Sequence, residues 1–252
     1  STDGEHWGLV TTDSDLPKLR AMSIVPFGNA LYLFAGWSPE FGHNRAIWKS
    51  EDAVHWTKVV EKAAFPGREG QRVLEADGKL YLFGGVNYDT HTTFNDVWIS
   101  EDALTWVPLT RKAPWHSRWD HDVGYFRNTF WLLSGMSSGT VGYDDVWKSA
   151  DGTSWEIVAT STPLGKRQGH VILPYRGALW LVGGLDTKSN AGTGDTWFTQ
   201  DGAHWEKVPT DGGWVGREDH KVMSFRGKLW IFGGMDTNWH WNNDIWYGEI
   251  TR

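Results

Sequence analysis

The chain has 252 residues, 40% of them hydrophobic and 15% aromatic with 19 tryptophans, enough to bury a large core in one domain or two. A formal charge of −7 and a pI near 5.8 argue against nucleic-acid binding by phosphate neutralisation, which needs a basic face. With no cysteine there are no disulfides, thiol nucleophiles or thiolate metal sites, and no apolar run approaches the roughly 18 residues of a membrane span.

In chain order the first residues, Asp3-Gly-Glu-His-Trp7, repeat further on as Glu51-Asp-Ala-Val-His-Trp56, Glu101-Asp-Ala-Leu-Thr-Trp106, Asp151-Gly-Thr-Ser-Trp155 and Asp201-Gly-Ala-His-Trp205. Each is a turn followed by a tryptophan strand. A second tryptophan recurs as Trp48, Trp98, Trp147, Trp197 and Trp246, in steps of 50, 49, 50 and 49 residues. The pair Ala35-Gly36 recurs as Gly84-Gly85, Ser134-Gly135, Gly183-Gly184 and Gly233-Gly234. So steady a period implies a repeat architecture. The glycines occupy fixed repeat positions, so they are turn chemistry rather than low complexity.

The second copy predicts four strands: Gln71–Ala76, a hairpin turn at Asp77-Gly78, Lys79–Phe83, a loop from Val86 to Asn95, Asp96–Ser100 and Thr105–Pro108. Four-stranded units repeated about an axis are propeller blades. The expectation is therefore an all-β, five-bladed β-propeller of four-stranded antiparallel blades in one domain, residues 1–252. The blades fall at about residues 20–60, 68–110, 118–159, 167–209 and 217–250, the last one closed by a strand from residues 4–11.

The order Arg-x-x-His, Gly-Lys-Leu-Tyr/Trp-x-Phe-Gly-Gly, Asn-Asp-Val/Ile-Trp and a late Trp resembles the kelch repeat, from Arg217 to Trp246 most fully. The five-blade count departs from that family, which more often has six or seven. Ser149-Ala-Asp151-Gly152-Thr-Ser-Trp155 is similar to the Asp-box of sialidase-type propellers, where it is a structural turn away from the active site.

Sixteen of the 19 tryptophans fall at repeat positions and read as packing; Trp119, Trp239 and Trp241 do not. In such a blade the first strand is innermost, so Arg20, Arg68, Arg118, Arg167 and Arg217 are expected around one channel mouth. Beside them Ala21, Glu69, Trp119, Gln168 and Glu218, then Met22, Gly70, Asp120, Gly169 and Asp219, vary from copy to copy. The bland reading of the arginines is bonding to neighbouring loop carbonyls. The insert around Trp239, His240 and Trp241 opens on the same face and offers flat rings for stacking on a sugar or a cation. Other polar loop residues expected there are Glu40, His43, Asn44, Arg45, Asn87, Tyr88, Asp89, His91, Tyr143 and Asp144.

The expected ligand contacts are thus Arg68, Arg118, Trp119, Asp120, Arg167, Arg217, Glu218, Asp219, Trp239, His240 and Trp241. The leading expectation is a monomeric, lectin-like module for a small polar ligand or glycan, with no nucleic-acid or membrane partner and no cofactor. One alternative is an enzyme acting on a sugar acid, of the mutarotase or epimerase type, with Glu69 and Glu218 as weak catalytic candidates. Others are a scaffold gripping an acidic peptide through the arginines, or a duplicated or engineered propeller with no ligand. No serine-histidine-acid motif, phosphate loop or His-Glu-x-x-His appears. His121, His170 and His220 pose a metal question that the expectation answers with hydrogen-bonded structural histidines and no metal. The composition fits the cytoplasm, or secretion with a leader removed, equally well.

Overall fold

The structure is a computed structural model that describes residues 1–12, 14–138, 141–209 and 213–249. Among these residues there is no helix, and the chain is all-β, built from small antiparallel sheets. No helix is long and apolar enough to cross a membrane. Ile250–Arg252, at the predicted end of the fifth repeat, lie outside the described residues.

The chain divides into two compact units. One comprises Gly8–Trp119 with Gly152–Ser154; the other comprises Ser1–Trp7, Asp120–Asp151 and Trp155–Arg252.

The first unit holds the sheets of repeats one and two. Repeat one pairs Ser23–Phe27, Ala30–Phe34, Ile47–Ser50 and Thr57–Val60 in that order. Repeat two uses Arg72–Ala76, Lys79–Asn87, Thr92–Ser100 and Val107–Thr110. Its middle strands run on past Gly84-Gly85, where a loop was expected. Gly84 at φ 53° and Gly85 at φ 104° take up a register shift that lets the ribbon continue. The turn at Asp77-Gly78 has φ 50° and 74°, the doubly left-handed geometry that suits a two-residue hairpin. Phe34, Ile47, Phe65, Leu80, Leu82 and Trp106 form this unit's core. Full burial of each such side chain contributes about 1.5–3 kcal/mol.

The second unit holds four-stranded sheets from Asp122–Tyr125, Phe130–Leu133, Val146–Ser149 and Glu156–Ala159, and from Val171–Tyr175, Ala178–Val182, Thr196–Thr199 and Glu206–Lys207. A third sheet has only three strands, Lys221–Phe225, Lys228–Phe232 and Ile245–Gly248. The fourth strand expected from the N-terminus does not form. Residues 8–11 are not in a strand, and Ser1–Trp7 folds as a turn.

That turn repeats three others bond for bond, those at Asp52, Asp102 and Asp201. Asp3 Oδ1 accepts the backbone N–H groups of Glu5 and His6, and Trp7 Nε1 donates to the Gly4 carbonyl at 2.9 Å. Asp52 does the same for Val54 and His55, and Asp201 for Ala203 and His204. Ala53 at φ 64° and Ala103 at φ 66° hold the left-handed position that glycine holds at 4, 152 and 202.

Successive repeats are tied by backbone. Gly36, Gly85, Gly135 and Gly184 donate to the carbonyls of Arg68, Arg118, Arg167 and Arg217, each in the following repeat, at 2.8–2.9 Å.

Candidate functional site

Four of the expected ligand contacts are not available to a ligand. Arg68, Arg118, Arg167 and Arg217 are buried. Arg68 bonds Asp96 at two points, 2.6 and 2.9 Å, and the Gly84 carbonyl at 2.8 Å. Arg217 pairs in the same way with Asp244 and the Gly233 carbonyl, and Arg167 with Asp195 and the Gly183 carbonyl. Arg118 donates Nε to the His116 carbonyl at 3.0 Å. The aspartates at 96, 145, 195 and 244 each also accept the indole N–H two residues on, at 2.7–2.8 Å. The motif Asp-x-Trp is therefore a latch joining arginine, tryptophan and the double-glycine turn. The Arg217 guanidinium holds the Asp244 carboxyl below its ordinary range.

Repeat one lacks the latch, and its alignment with the other copies slips by one residue. Arg20 bridges Trp37, whereas Glu69 bridges Val86, Gln168 pairs with Leu185 and Glu218 with Met235. Arg20 is thus the counterpart of Glu69, 49 residues on, and Leu19 is the counterpart of Arg68. The expected set of five equivalent arginines is therefore a set of four. Ala46 stands where the other copies have aspartate, and the buried Trp48 Nε1 has no hydrogen-bond partner among the described residues. The loss of Asp at 46 was the sequence signal for this.

In the first unit the slip builds a polar cluster. Arg20 is exposed, lies over Trp37 at 4.3 Å, and bonds Glu69 at 3.1 and 3.2 Å. His43, itself buried, stands between Glu69 at 3.5 Å and Asp89 at 2.8 Å. Hydrogen bonding to His43 lowers the Asp89 pKa. Tyr88 meets His43 and, edge to face at 5.9 Å, Trp119. Trp119 is buried, so it is a wall rather than a stacking surface.

In the second unit Glu218, Met235 and Trp241 form one cross-strand row, Glu218 opposite Met235 and Met235 opposite Trp241. Directly opposed residues share a face of a sheet, so all three do, with two strand spacings of about 4.8 Å from the first to the last. Glu218 is buried and accepts Gln168 Nε2 at 2.7 Å. Burial, aided by the charge of Asp219, raises its pKa to about 7. Asp219, at φ 57°, and Asp120, at φ 49°, take the left-handed position that Gly70 and Gly169 hold in other copies.

Trp239 and Trp241 are 63% and 69% exposed and stack on no ring among the described residues. Asp236 Oδ1 organises their turn by accepting the N–H groups of Asn238 and His240, and His240 is exposed. His121, His170 and His220 are buried, and burial drives His220 down to about 3 and His170 well below its ordinary value. Among the described residues no group of three or more acidic or histidine side chains is placed to hold a metal.

Fold and site together define an all-β repeat protein in which Arg68, Arg118, Arg167 and Arg217 are buried and most of the exposed aromatics lie in the last repeat. No protein-family model matches the chain, and no curated protein matches it.

Proposed function

We propose that the repeats are blades of a kelch-type β-propeller and that the chain is a carbohydrate-binding module acting through Trp239 and Trp241. The observation that carries the reading is Trp239. Its backbone sits at φ 64° while its indole is 63% exposed. A left-handed non-glycine residue costs about 1–2 kcal/mol, and a bulky one there is an outlier. Asn190 occupies the matching turn of repeat four at φ 55°, where asparagine is at ease. A strained, solvent-facing indole that stacks on no ring among the described residues is suited to stacking on a sugar face. Glu218 stands on the same cross-strand row as Trp241 and accepts from Gln168.

The test is quenching of tryptophan fluorescence by mono- and disaccharides, lost in Trp239→Ala and Trp241→Ala. Silence across a broad glycan panel rejects the reading.

A second reading rests on Glu218, whose carboxyl near 7 suits proton transfer on a sugar acid, the work of a mutarotase. Anomeric exchange followed by NMR, unchanged by the protein, rejects it. The burial of Arg68 and Arg118 removes the contacts on which an acidic-peptide grip depends.

A further inference from the structure

The turn at Ser1–Trp7 sits where a sixth repeat would put it. In repeats two, three and four the turn before strand four rests on strand two of the preceding repeat. The Trp106 ring of repeat two meets Phe34 of repeat one edge to face at 5.4 Å. Gly152 of repeat three approaches Tyr81 of repeat two, and Gly202 of repeat four rests against the Trp131 ring of repeat three. Ser1–Trp7 makes both contacts with repeat five. A side chain at Gly4 would meet the Trp230 indole at 2.6 Å, and Trp7 meets Phe232 edge to face at 5.8 Å. Had the N-terminus completed repeat five, the partners would be Trp180 and Val182 of repeat four.

Two aromatic side chains of that face are uncovered. Phe225 is 37% exposed where its counterpart in repeat four, Tyr175, is 7% exposed, and Tyr247 is 49% exposed where Phe198 is 4% exposed. The Gly234 N–H has no acceptor among the described residues, where its four counterparts each bond an arginine carbonyl of the next repeat.

We propose that Ser1–Trp7 belongs to a sixth sheet, and that the face of Phe225, Gly234 and Tyr247 docks the first three strands of that sheet. The occupant is a further repeat of the same pattern, carried by the same polypeptide outside residues 1–252. It brings an apolar first strand to Phe225 and a backbone carbonyl to Gly234.

Two double-mutant cycles read the seat. Trp7→Ala with Phe232→Ala should couple by about 2- to 10-fold in the unfolding constant, and Trp7→Ala with Val182→Ala should not. Coupling to Val182, or to neither, overturns the proposal. On the unmodified chain, which needs no tolerated variant, the Gly234 amide should exchange at least about 100-fold faster than that of Gly184; equal protection overturns it. Extending the chain after Arg252 with a copy of residues 199–249 should then protect Gly234 and Ile245–Gly248. No added protection, or protection already present in a dimer of the unextended chain, overturns the choice of occupant.

Discussion

Arg20 grips Glu69 at two points, Nε to Oε2 at 3.1 Å and Nη2 to Oε1 at 3.2 Å. The pair exists because repeat one has neither the arginine nor the aspartate of the buried latch: Leu19 and Ala46 stand there. Repeat one lacks both partners, which fits the energetics of a buried ion pair, since either alone would be an uncompensated charge.

The latch should be expensive to break. Asp96→Ala leaves the buried Arg68 guanidinium and the Trp98 N–H without their shared acceptor. The expected cost is about 3–5 kcal/mol in urea denaturation. Arg20→Ala, breaking a pair whose arginine is exposed, should cost about 1 kcal/mol or less.

Restoring the latch in repeat one should reveal coupling. Ala46→Asp alone should destabilise, and Leu19→Arg alone should be neutral or destabilising. Together they should recover about 1–3 kcal/mol of interaction energy, read from a double-mutant cycle. Additive effects would mean that the slipped backbone cannot bring the two side chains together.

Trp239→Asn should separate stability from binding. Asparagine tolerates φ 64° better than tryptophan, so the variant should gain about 0.5–1 kcal/mol while losing saccharide quenching. A variant that loses stability would show that the indole packs rather than binds.

Two buried groups should tilt stability in opposite directions with pH. Glu218 has a folded pKa of about 7 against an ordinary 4.5, so the folded chain holds a proton that the unfolded chain releases. Its contribution is full below about 4.5, falls as pH rises to about 7, and is flat above. Glu218→Gln should remove about 1–2 kcal/mol of that slope, solvent screening allowed for.

His220, at about 3 against 6.5, runs the other way. The unfolded chain takes up the proton, so this contribution is full above 6.5 and lost as pH falls toward 3. At pH 5 the loss is about 2 kcal/mol. Unfolding midpoints of His220→Gln between pH 4 and 7 should lack it.

The repeat, its strands and its turns were legible in the sequence because each is set locally. Asp77-Gly78 fixes a hairpin through two left-handed residues, and each aspartate turn closes within six residues. The exposed Trp239 and Trp241 were legible too, as departures from the period. Three things came only from the tertiary structure. Long-range pairing decided that Arg68, Arg118, Arg167 and Arg217 face inward, since a guanidinium near a mouth and one locked to an aspartate 27 or 28 residues on look alike in sequence. Strand register decided that Arg20 aligns with Glu69, because a one-residue slip is invisible until cross-strand partners are known. Packing decided where the N-terminal turn sits: its spacing says that it is a repeat turn, but only the contacts with Trp230 and Phe232 say on which repeat it rests.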